Sequence, residues 1–249
     1  IFKNDDRFNE LAKIFNHALN KQNWSQATRY WLAKLFAEND LIIIDPDDKA
    51  LKQLFTSTMN DEISNQFIFR SVNSTNDKLE KLGYQPKINP RELNLFYLSE
   101  DKRNRIIFKD NLSHIGDLVF SKNELQQKLT KNPELFSPNV LLRPLYQETI
   151  LPNLVYVAGP SEITYWAQLK ESFDSVGLHY PAVVLRDHFS WMTQKQIDNW
   201  LKLGFLMEDL VKKESDLVKK FLLNNFNNDF SINDEQSLLV NLENSLSKK

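Results

Sequence analysis

Apolar residues recur at helical spacing in the first part of the chain. The residues that carry this spacing are Phe8, Leu11, Ile14, Phe15 and Leu19. They predict an amphipathic helix over residues 5–21, and a second predicted helix begins after Asn23. A third and longer predicted helix is capped by Asp47 or Asp48 and runs through Ile63.

Three short apolar runs predict β-strands: residues 41–44, 154–158 and 182–185. Each run is continuous rather than alternating, which is typical of a parallel sheet covered on both faces. The second run passes through a short turn into one helix, which ends before Gly177, and then reaches the third run. Because this connection leaves no room for a hairpin, it predicts a right-handed parallel crossover in an α/β fold.

The pattern changes between about residues 83 and 139. Apolar residues alternate around residues 93–98, and residues 105–109 and 117–120 are further strand candidates between charged turns. Ser121 and Glu124 have the spacing of a capping box, which predicts a helix over residues 124–130. This region is predicted to be a small α+β insertion with antiparallel strands.

Beyond about Thr193 the strand patterns end and amphipathic helical patterns continue to the last residue. The apolar positions are Ile197, Trp200, Leu201, Phe205, Leu210, Leu217, Phe221 and Leu222, followed by Leu238, Leu239, Leu242 and Leu246. We therefore expect residues 1–72 and 140–192 to form an α/β core, residues 73–139 an inserted connecting region, and residues 193–249 a helical segment. Its apolar stripe predicts pairing with another chain.

Composition narrows the function classes. The 249 residues carry a net charge of −2, which gives no basic surface for nucleic acid. The chain has no cysteine, which excludes disulfides, thiolate metal sites and a cysteine nucleophile within it. No apolar run approaches the roughly 20 residues that span a bilayer, so we expect a cytoplasmic protein. The chain opens with Ile1 and enters a helix at once, so we expect a piece of a longer protein.

The turn after the second apolar run is a candidate ligand site. Gly159 lies where a parallel strand would turn into a helix, at the sheet edge where open α/β folds bind ligands. Backbone N–H groups of the turn could hold a phosphate or carboxylate, Ser161 could add a hydroxyl, and Glu162 could accept from an amine. Alternatively, Ser161 caps the helix and Glu162 stabilises its first turn.

Further candidates lie on neighbouring elements. Arg143 could clamp a carboxylate or phosphate through its two-pronged guanidinium, or could form a structural ion pair. Gln147 follows four residues later on the same helical face. Asp45 and Arg186 each end an apolar run, although Asp45 could simply build a turn with the following proline. The four histidines lack metal-ligand spacing, so no metal site is predicted.

Several blocks of the sequence resemble the bacillithiol biosynthesis cysteine-adding enzymes. Residues 136–149, FSPNVLLRPLYQET, and residues 156–170, YVAGPSEITYWAQLK, are the most specific of them. Residues 41–55, 89–96 and 151–152 also resemble the family, and the flanking helices fit it by position and character only. The resemblance extends from about Trp31 to about Arg186.

This resemblance implies a ligase that adds cysteine to glucosaminyl-malate in the final step of bacillithiol biosynthesis. It implies a Rossmann-like core with connecting insertions and a C-terminal helical coiled coil that supports a homodimer. Forming an amide from a carboxylate requires activation, so ATP (giving ADP) is the expected cosubstrate. The chain is expected to be an internal or C-terminal-side piece with at most half of the active site, inactive alone, and no catalytic residue is assigned.

Two other function classes fit the residues. A nucleotidyl or glycosyl transferase could use a similar sheet, because folds alone do not determine chemistry. A helical interaction or scaffold protein would explain the amphipathic segment after Thr193, although the strand, turn and helix around Gly159 argue against it.

Overall fold

The computed structural model describes residues 5–99 and 102–225. Two compact units divide the chain in sequence, the first ending at Arg186 and the second beginning at Asp187. The first unit combines helices with three small sheets. It contains all the residues singled out above as candidates for binding.

Two capped helices open the first unit, as the sequence predicted. α1 spans Asp6–Leu19 and α2 spans Trp24–Leu35. The Asp5 carboxylate accepts a hydrogen bond from the Arg7 N–H at 2.9 Å, and the Asn23 side chain accepts one from the Gln26 N–H at 2.9 Å. Each cap satisfies a backbone donor that has no partner within its helix.

The long helix predicted after Asp48 is divided. Asp48 does cap it, but α3 spans only Lys49–Leu54 and α4 spans Thr56–Asn65. α5 then follows over Phe67–Lys81, which the sequence analysis did not predict and which crosses the expected boundary at residue 72. Gln66 separates α4 from α5 with a left-handed φ of 51°, which no helix interior tolerates.

Residues 41–44 do not form the predicted strand. They have no regular secondary structure, and 48% of Leu41 and 68% of Ile42 is exposed. A strand is stabilised by hydrogen bonds to a neighbouring strand, and no strand in the described part of the chain pairs with this run. The apolar pattern alone was therefore an insufficient basis for that prediction.

Antiparallel pairing dominates the region after α5, and this prediction is confirmed. β1 (Leu95–Ser99), β2 (Lys102–Arg105), β3 (Ile107–Lys109), β4 (Leu112–Ile115) and β5 (Leu118–Phe120) follow one another along the chain. Next come α6 (Lys122–Lys131), a short 3₁₀ helix (Pro133–Leu135) and β6 (Phe136–Pro138). β2–β1–β6 form one sheet and β3–β4–β5 another. The capping box of Ser121 and Glu124 opens α6 as predicted.

The α/β pattern then resumes with a parallel pair of strands. α7 spans Arg143–Ile150, β7 Val155–Ala158, α8 Pro160–Trp166, α9 Lys170–Ser175 and β8 Ala182–Leu185. β7 and β8 run parallel in a register that joins Val155 to Ala182 and Ala158 to Leu185. The single helix predicted between them is divided into α8 and α9. As predicted, Gly177 follows the last turn, with a left-handed φ of 68°.

One face of the β7–β8 pair packs against the hydrophobic core of the first unit, through Tyr156 and Val183. Trp166 is fully buried, and Tyr156 stacks on it at a ring-centroid distance of 4.4 Å. Phe173 and Tyr180 pack against the same indole at 5.7 Å each. The inward side of β7 is therefore anchored by aromatic packing, whereas half or more of Val155 and Val157 on its outward side is exposed.

Two α-helices and a 3₁₀ helix lie in the described part of the second unit, residues 187–225. α10 spans Gln194–Lys202 and α11 spans Glu214–Asn225, with a 3₁₀ helix over Met207–Val211 between them. Gly204 ends the first segment with a left-handed φ of 79°. The amphipathic helical pattern predicted here is thus interrupted between α10 and α11, and the leucines from Leu238 onward lie outside the described residues.

Candidate functional site

The start of α7 places a guanidinium beside the parallel strands. The Asn139 carboxamide oxygen accepts hydrogen bonds from the Leu141 and Leu142 N–H groups at 2.9 and 3.1 Å. Pro144 occupies the first turn, where its missing N–H has no cost. These local features fix where α7 begins, and Arg143 is its first residue.

Arg143 interacts with side chains of its own helix, of α8 and of β7, the last through Tyr156. One guanidinium nitrogen donates to the Gln147 carboxamide oxygen at 3.0 Å, and the other donates to the Tyr165 hydroxyl at 2.6 Å. That second nitrogen lies 3.8 Å from Glu162 Oε1. Arg143 and the first turn of α8 therefore lie together, and Glu162 is the acid beside the guanidinium.

Glu162 is the acceptor at the centre of this arrangement. Its Oε1 accepts from the Tyr156 hydroxyl at 2.8 Å and from the Tyr165 hydroxyl at 3.4 Å. Its Oε2 accepts from the Gly159 N–H at 2.9 Å. We refer to Arg143, Gln147, Tyr156, Glu162 and Tyr165 as the Arg143–Glu162 cluster.

The electrostatics keep both charges of the cluster in place. The Gly159 N–H lowers the pKa of Glu162; burial opposes this, and the Tyr156 hydroxyl and the Arg143 charge reinforce it. Burial lowers the pKa of Arg143, but Tyr165 and Tyr156 outweigh it and leave that pKa above its ordinary value. Burial raises the pKa of both Tyr156 and Tyr165, so the two phenols stay protonated. The cluster is an ion pair held by two neutral hydroxyls.

Gly159 lies between Glu162 and Arg186. Its φ of −69° is accessible to any residue, so the backbone does not require glycine here. A Cβ at this position would lie 3.5 Å from Glu162 Oε2 and 3.6 Å from a terminal nitrogen of Arg186. Arg186, whose N–H donates to the Ala158 carbonyl at 2.8 Å, therefore brings a second guanidinium to the same edge.

The backbone donors of the turn are mostly occupied. Gly159 gives its N–H to Glu162, Pro160 has none, and the N–H groups of Glu162 and Ile163 donate to the Gly159 carbonyl at 2.9 and 3.0 Å. Ser161 does not cap α8, because Gly159 holds the N-cap position. Any anion at this edge would depend mainly on the arginine side chains.

Asp45 lies in a different environment. Its carboxylate accepts from the Ser25 hydroxyl and from the Asp47 N–H, the second at 3.0 Å. The Ser25 hydrogen bond lowers the pKa of Asp45, which burial partly offsets. These contacts stabilise the turn that precedes α3. Asp45 therefore has the structural role in a turn that the sequence analysis gave as the alternative to ligand binding.

Tyr156 and Tyr165 are the site residues that sequence reasoning missed. Tyr156 lies within the apolar run over residues 154–158, and Tyr165 lies within the helix predicted after it. Both rings are indeed packed, but their hydroxyls bond to the ion pair. The hydroxyl of a buried tyrosine usually forms a hydrogen bond. A tyrosine in a predicted core element near charged residues is therefore a candidate partner for them.

The cluster can recognise a small molecule with two opposite charges. The Arg143 and Glu162 side chains are 38% and 37% exposed, so a ligand can reach both. The guanidinium has five N–H donors, and contacts with Gln147 and Tyr165 leave some of them for a carboxylate. In the part of the chain that the structure describes, no group of His, Cys, Asp and Glu side chains could hold a metal ion.

A parallel strand pair linked through α8 and α9 is a β-α-β arrangement of the kind found in α/β domains. Residues 1–187 match the family profile described as "Bacillithiol biosynthesis BshC, N-terminal Rossmann-like domain". The chain belongs to this family. The match covers the whole of the first compact unit and ends one residue beyond it, at Asp187.

Similar proteins agree with the family profile. The chain is 39% identical over 213 residues to a protein of Flavobacterium johnsoniae named "Putative cysteine ligase BshC", covering 84% of this chain and 40% of that protein. It is 38% identical over 213 residues to a protein of Cytophaga hutchinsonii with the same name, covering 85% and 41%. The chain thus spans about two fifths of the length of these relatives. Among the described helices, none is long and apolar enough to cross a membrane.

Proposed function

We propose that this chain is part of a cysteine ligase that joins cysteine to the amino group of glucosaminyl-malate in the last step of bacillithiol biosynthesis. Membership of the family and the names of its relatives support this function. A transferase on a similar fold and a scaffold protein lack comparable support. The activity, the two substrates and a cytoplasmic location are proposed for the whole protein, of which this chain is one part.

The Arg143–Glu162 cluster carries the proposal on the structural side. A free amino acid such as cysteine has a carboxylate and an ammonium group close together. The unused N–H groups of Arg143, with Arg186 nearby, suit the carboxylate. Glu162, which is anionic because its pKa is lowered, suits the ammonium. Gln147 and the two tyrosines hold the charged groups in position, and we assign no catalytic residue.

ATP is the proposed cosubstrate. A carboxylate does not form an amide with an amine in water unless it is activated, and ATP would supply that activation. The described residues offer guanidinium groups rather than a metal site, so any phosphate bound at this edge would be held by Arg143 or Arg186.

A homodimer is also proposed, through the helices after Thr193. Apolar side chains are exposed on the second unit, including Leu206 and Val218, which are 58% and 51% exposed. Exposed apolar surface of this kind favours association with a partner. Sedimentation of the intact protein would show a dimer, and a strict monomer at high concentration would contradict this part of the proposal.

The test of the ligase function uses cells that lack the intact protein. We expect thiol analysis by mass spectrometry to show loss of bacillithiol and accumulation of glucosaminyl-malate. The wild-type gene should restore the thiol, Arg143→Ala should restore much less, and Arg70→Ala should match wild type, because Arg70 is an exposed arginine on α5. Persistence of bacillithiol without accumulation of glucosaminyl-malate would rule out the ligase. The purified 249-residue chain is expected to have no ligase activity alone.

A further inference from the structure

A second concave site lies away from the Arg143–Glu162 cluster. It is a cavity of about 640 Å³ bordered by α5, the segment before β1, and the β1–β2 hairpin. None of the five cluster residues lines it. Its volume falls within the range of about 300–1,000 Å³ that is typical of small-molecule sites.

Apolar side chains and arginines share the walls of this cavity. Phe69, Phe96 and Phe108 contribute aromatic surface, and Arg91, Arg103 and Arg105 contribute positive charge. Glu92 is the acidic residue in the lining. Because guanidinium groups stay protonated at physiological pH, the lining carries three positive charges against one negative charge.

The hairpin register brings two of the arginines to one face. β1 and β2 pair antiparallel with Phe96 opposite Arg105 and Leu98 opposite Arg103. Side chains two residues apart on a strand point to the same face, so Arg103 and Arg105 both accompany Phe96. Their guanidinium carbons lie 3.8 and 5.8 Å from the centre of the Phe96 ring.

Arg103 is held in place by the protein itself. A terminal nitrogen donates to the Pro138 carbonyl at 2.9 Å and to the Ser137 hydroxyl at 3.3 Å. Its guanidinium also stacks on Phe96, a favourable cation–π geometry. A guanidinium fixed in this way loses little conformational entropy when it binds a ligand.

These arginines have no acidic partner in the described part of the chain. Of the ion pairs among residues 5–99 and 102–225, none involves Arg91, Arg103 or Arg105. Glu92, although it lines the same cavity, is not within ion-pair distance of any of them. Like charges gathered around one concave surface repel one another, and an anion placed between them would relieve that repulsion.

We propose that this cavity binds a small organic oxyanion, a carboxylate or a phosphate attached to an apolar body. Arg91 and Arg105 would bind the oxyanion, Arg103 would add charge from its fixed position, and the phenylalanines would contact the apolar body. Carboxylates and phosphates both present two oxygen atoms that a guanidinium can bind with two parallel hydrogen bonds. This site is independent of the ligase function proposed above.

The test is a calorimetric titration of the intact protein with phenyl phosphate and with benzoate. Inorganic phosphate and benzyl alcohol serve as probes that lack the apolar body or the charge. We expect saturable binding of at least one aromatic anion, and binding of each control probe at least about tenfold weaker. The tighter of the two aromatic anions identifies the head group.

Matched variants place the binding at the cavity. Arg91→Ala/Arg105→Ala should weaken binding at least about tenfold, whereas Arg70→Ala should leave it unchanged. Circular dichroism checks that the double alanine variant is folded. If that variant does not fold, binding is measured instead with Arg91→Lys/Arg105→Lys, which retains the charge but loses the two-pronged geometry. The proposal is overturned if neither aromatic anion binds, if inorganic phosphate binds equally well, or if neither double variant weakens the binding.

Discussion

A guanidinium nitrogen of Arg143 lies 2.6 Å from the hydroxyl oxygen of Tyr165, which joins the first residue of α7 to the last turn of α8. The same nitrogen lies 3.8 Å from Glu162. The sequence left two roles open for Arg143, a clamp for an anion or a structural ion pair. The geometry gives it structural partners and leaves the side chain partly accessible, so a substitution should affect both folding and binding.

Arg143→Ala should reduce stability modestly and binding strongly. The variant loses hydrogen bonds to Gln147 and Tyr165, and a partly exposed hydrogen bond contributes about 0.5–1.5 kcal/mol. Thermal unfolding of the intact protein would measure the first effect, and cysteine binding the second. Arg143→Lys keeps the charge but lacks the two-pronged geometry, so it should recover stability better than affinity. If Arg143→Ala simply unfolds the protein, the residue has a structural role alone.

Tyr156→Phe should weaken the cluster without disturbing the core. The ring still stacks on Trp166, but Glu162 loses a hydrogen bond of 2.8 Å. We expect a loss of about 0.5–1.5 kcal/mol in the free energy of unfolding. Tyr84→Phe is the control, since that side chain is 67% exposed and has no hydrogen bond in the described structure.

The effect of Tyr156→Phe should depend on pH. Because the pKa of Glu162 is lowered in the folded state, its stabilising contribution is present above the ordinary glutamate pKa and is lost as the pH falls below it. The hydroxyl helps to lower that pKa, so wild type and variant should differ at neutral pH and converge in acid. An equal difference at both pH values would mean that the hydroxyl does not act through the Glu162 carboxylate.

Features that depend on residues close in sequence, such as helix caps, could be predicted. Features that depend on contacts between distant residues could not. The caps at Asn23 and Asp48 depend on residues two or three positions away, so the sequence reveals them. Arg143 and Gln147 are four residues apart and do form a hydrogen bond. By contrast, residues 41–44 have the composition of a strand, but no strand among residues 5–99 and 102–225 pairs with them. The sequence of a single run does not reveal its partner.

The break between α4 and α5 is a second example of a long-range cause. Gln66 adopts a left-handed conformation that its residue type does not predict. The Glu62 carboxylate compensates by accepting from the Ile68 N–H at 3.1 Å, which caps α5 from the preceding helix. Glu62 also accepts from the backbone and side-chain N–H groups of Asn94, each at 2.9 Å. A buried acid therefore holds together segments more than 30 residues apart.

Glu62→Gln should destabilise the first unit. The carboxylate accepts three hydrogen bonds, whereas a carboxamide presents one N–H₂ group toward donors that need an acceptor. Leaving such a buried donor unpaired costs about 1–3 kcal/mol. Urea unfolding would measure the loss, with Glu80→Gln as the exposed control on α5. A variant as stable as wild type would show that the three contacts contribute no net stability.

The pH dependence of Glu62 has the opposite sign to that of Glu162. Burial raises the pKa of Glu62, although the N–H groups of Asn94 and Ile68 partly offset it. The folded state therefore holds this proton more tightly than the unfolded chain. Stability should fall as the pH rises from the ordinary glutamate pKa to the raised one and should be constant above it. Glu62→Gln cannot titrate, so this part of the pH profile should be absent from the variant.

Asp209→Asn should loosen the second unit. The Asp209 carboxylate is 2% exposed, accepts from the Leu206 N–H at 2.7 Å, and pairs with Lys212 at 2.8 Å and Lys220 at 2.6 Å. It therefore connects the 3₁₀ helix to α11. An asparagine has a similar size but no charge, and its N–H₂ group would face an ammonium group. We expect faster hydrogen exchange over residues 206–220 in the variant.

The control for Asp209→Asn is Glu208→Gln, which removes the same charge from the neighbouring exposed position. The Lys212 and Lys220 hydrogen bonds lower the pKa of Asp209, so its contribution should persist at neutral pH and disappear as the pH falls below the ordinary aspartate range. Trp200 reports on this change, because its indole N–H donates to the Leu206 carbonyl at 2.8 Å. Acid should therefore shift the fluorescence of wild type toward that of Asp209→Asn at neutral pH. Equal hydrogen exchange in Asp209→Asn and Glu208→Gln would show that net charge, rather than these contacts, stabilises the segment.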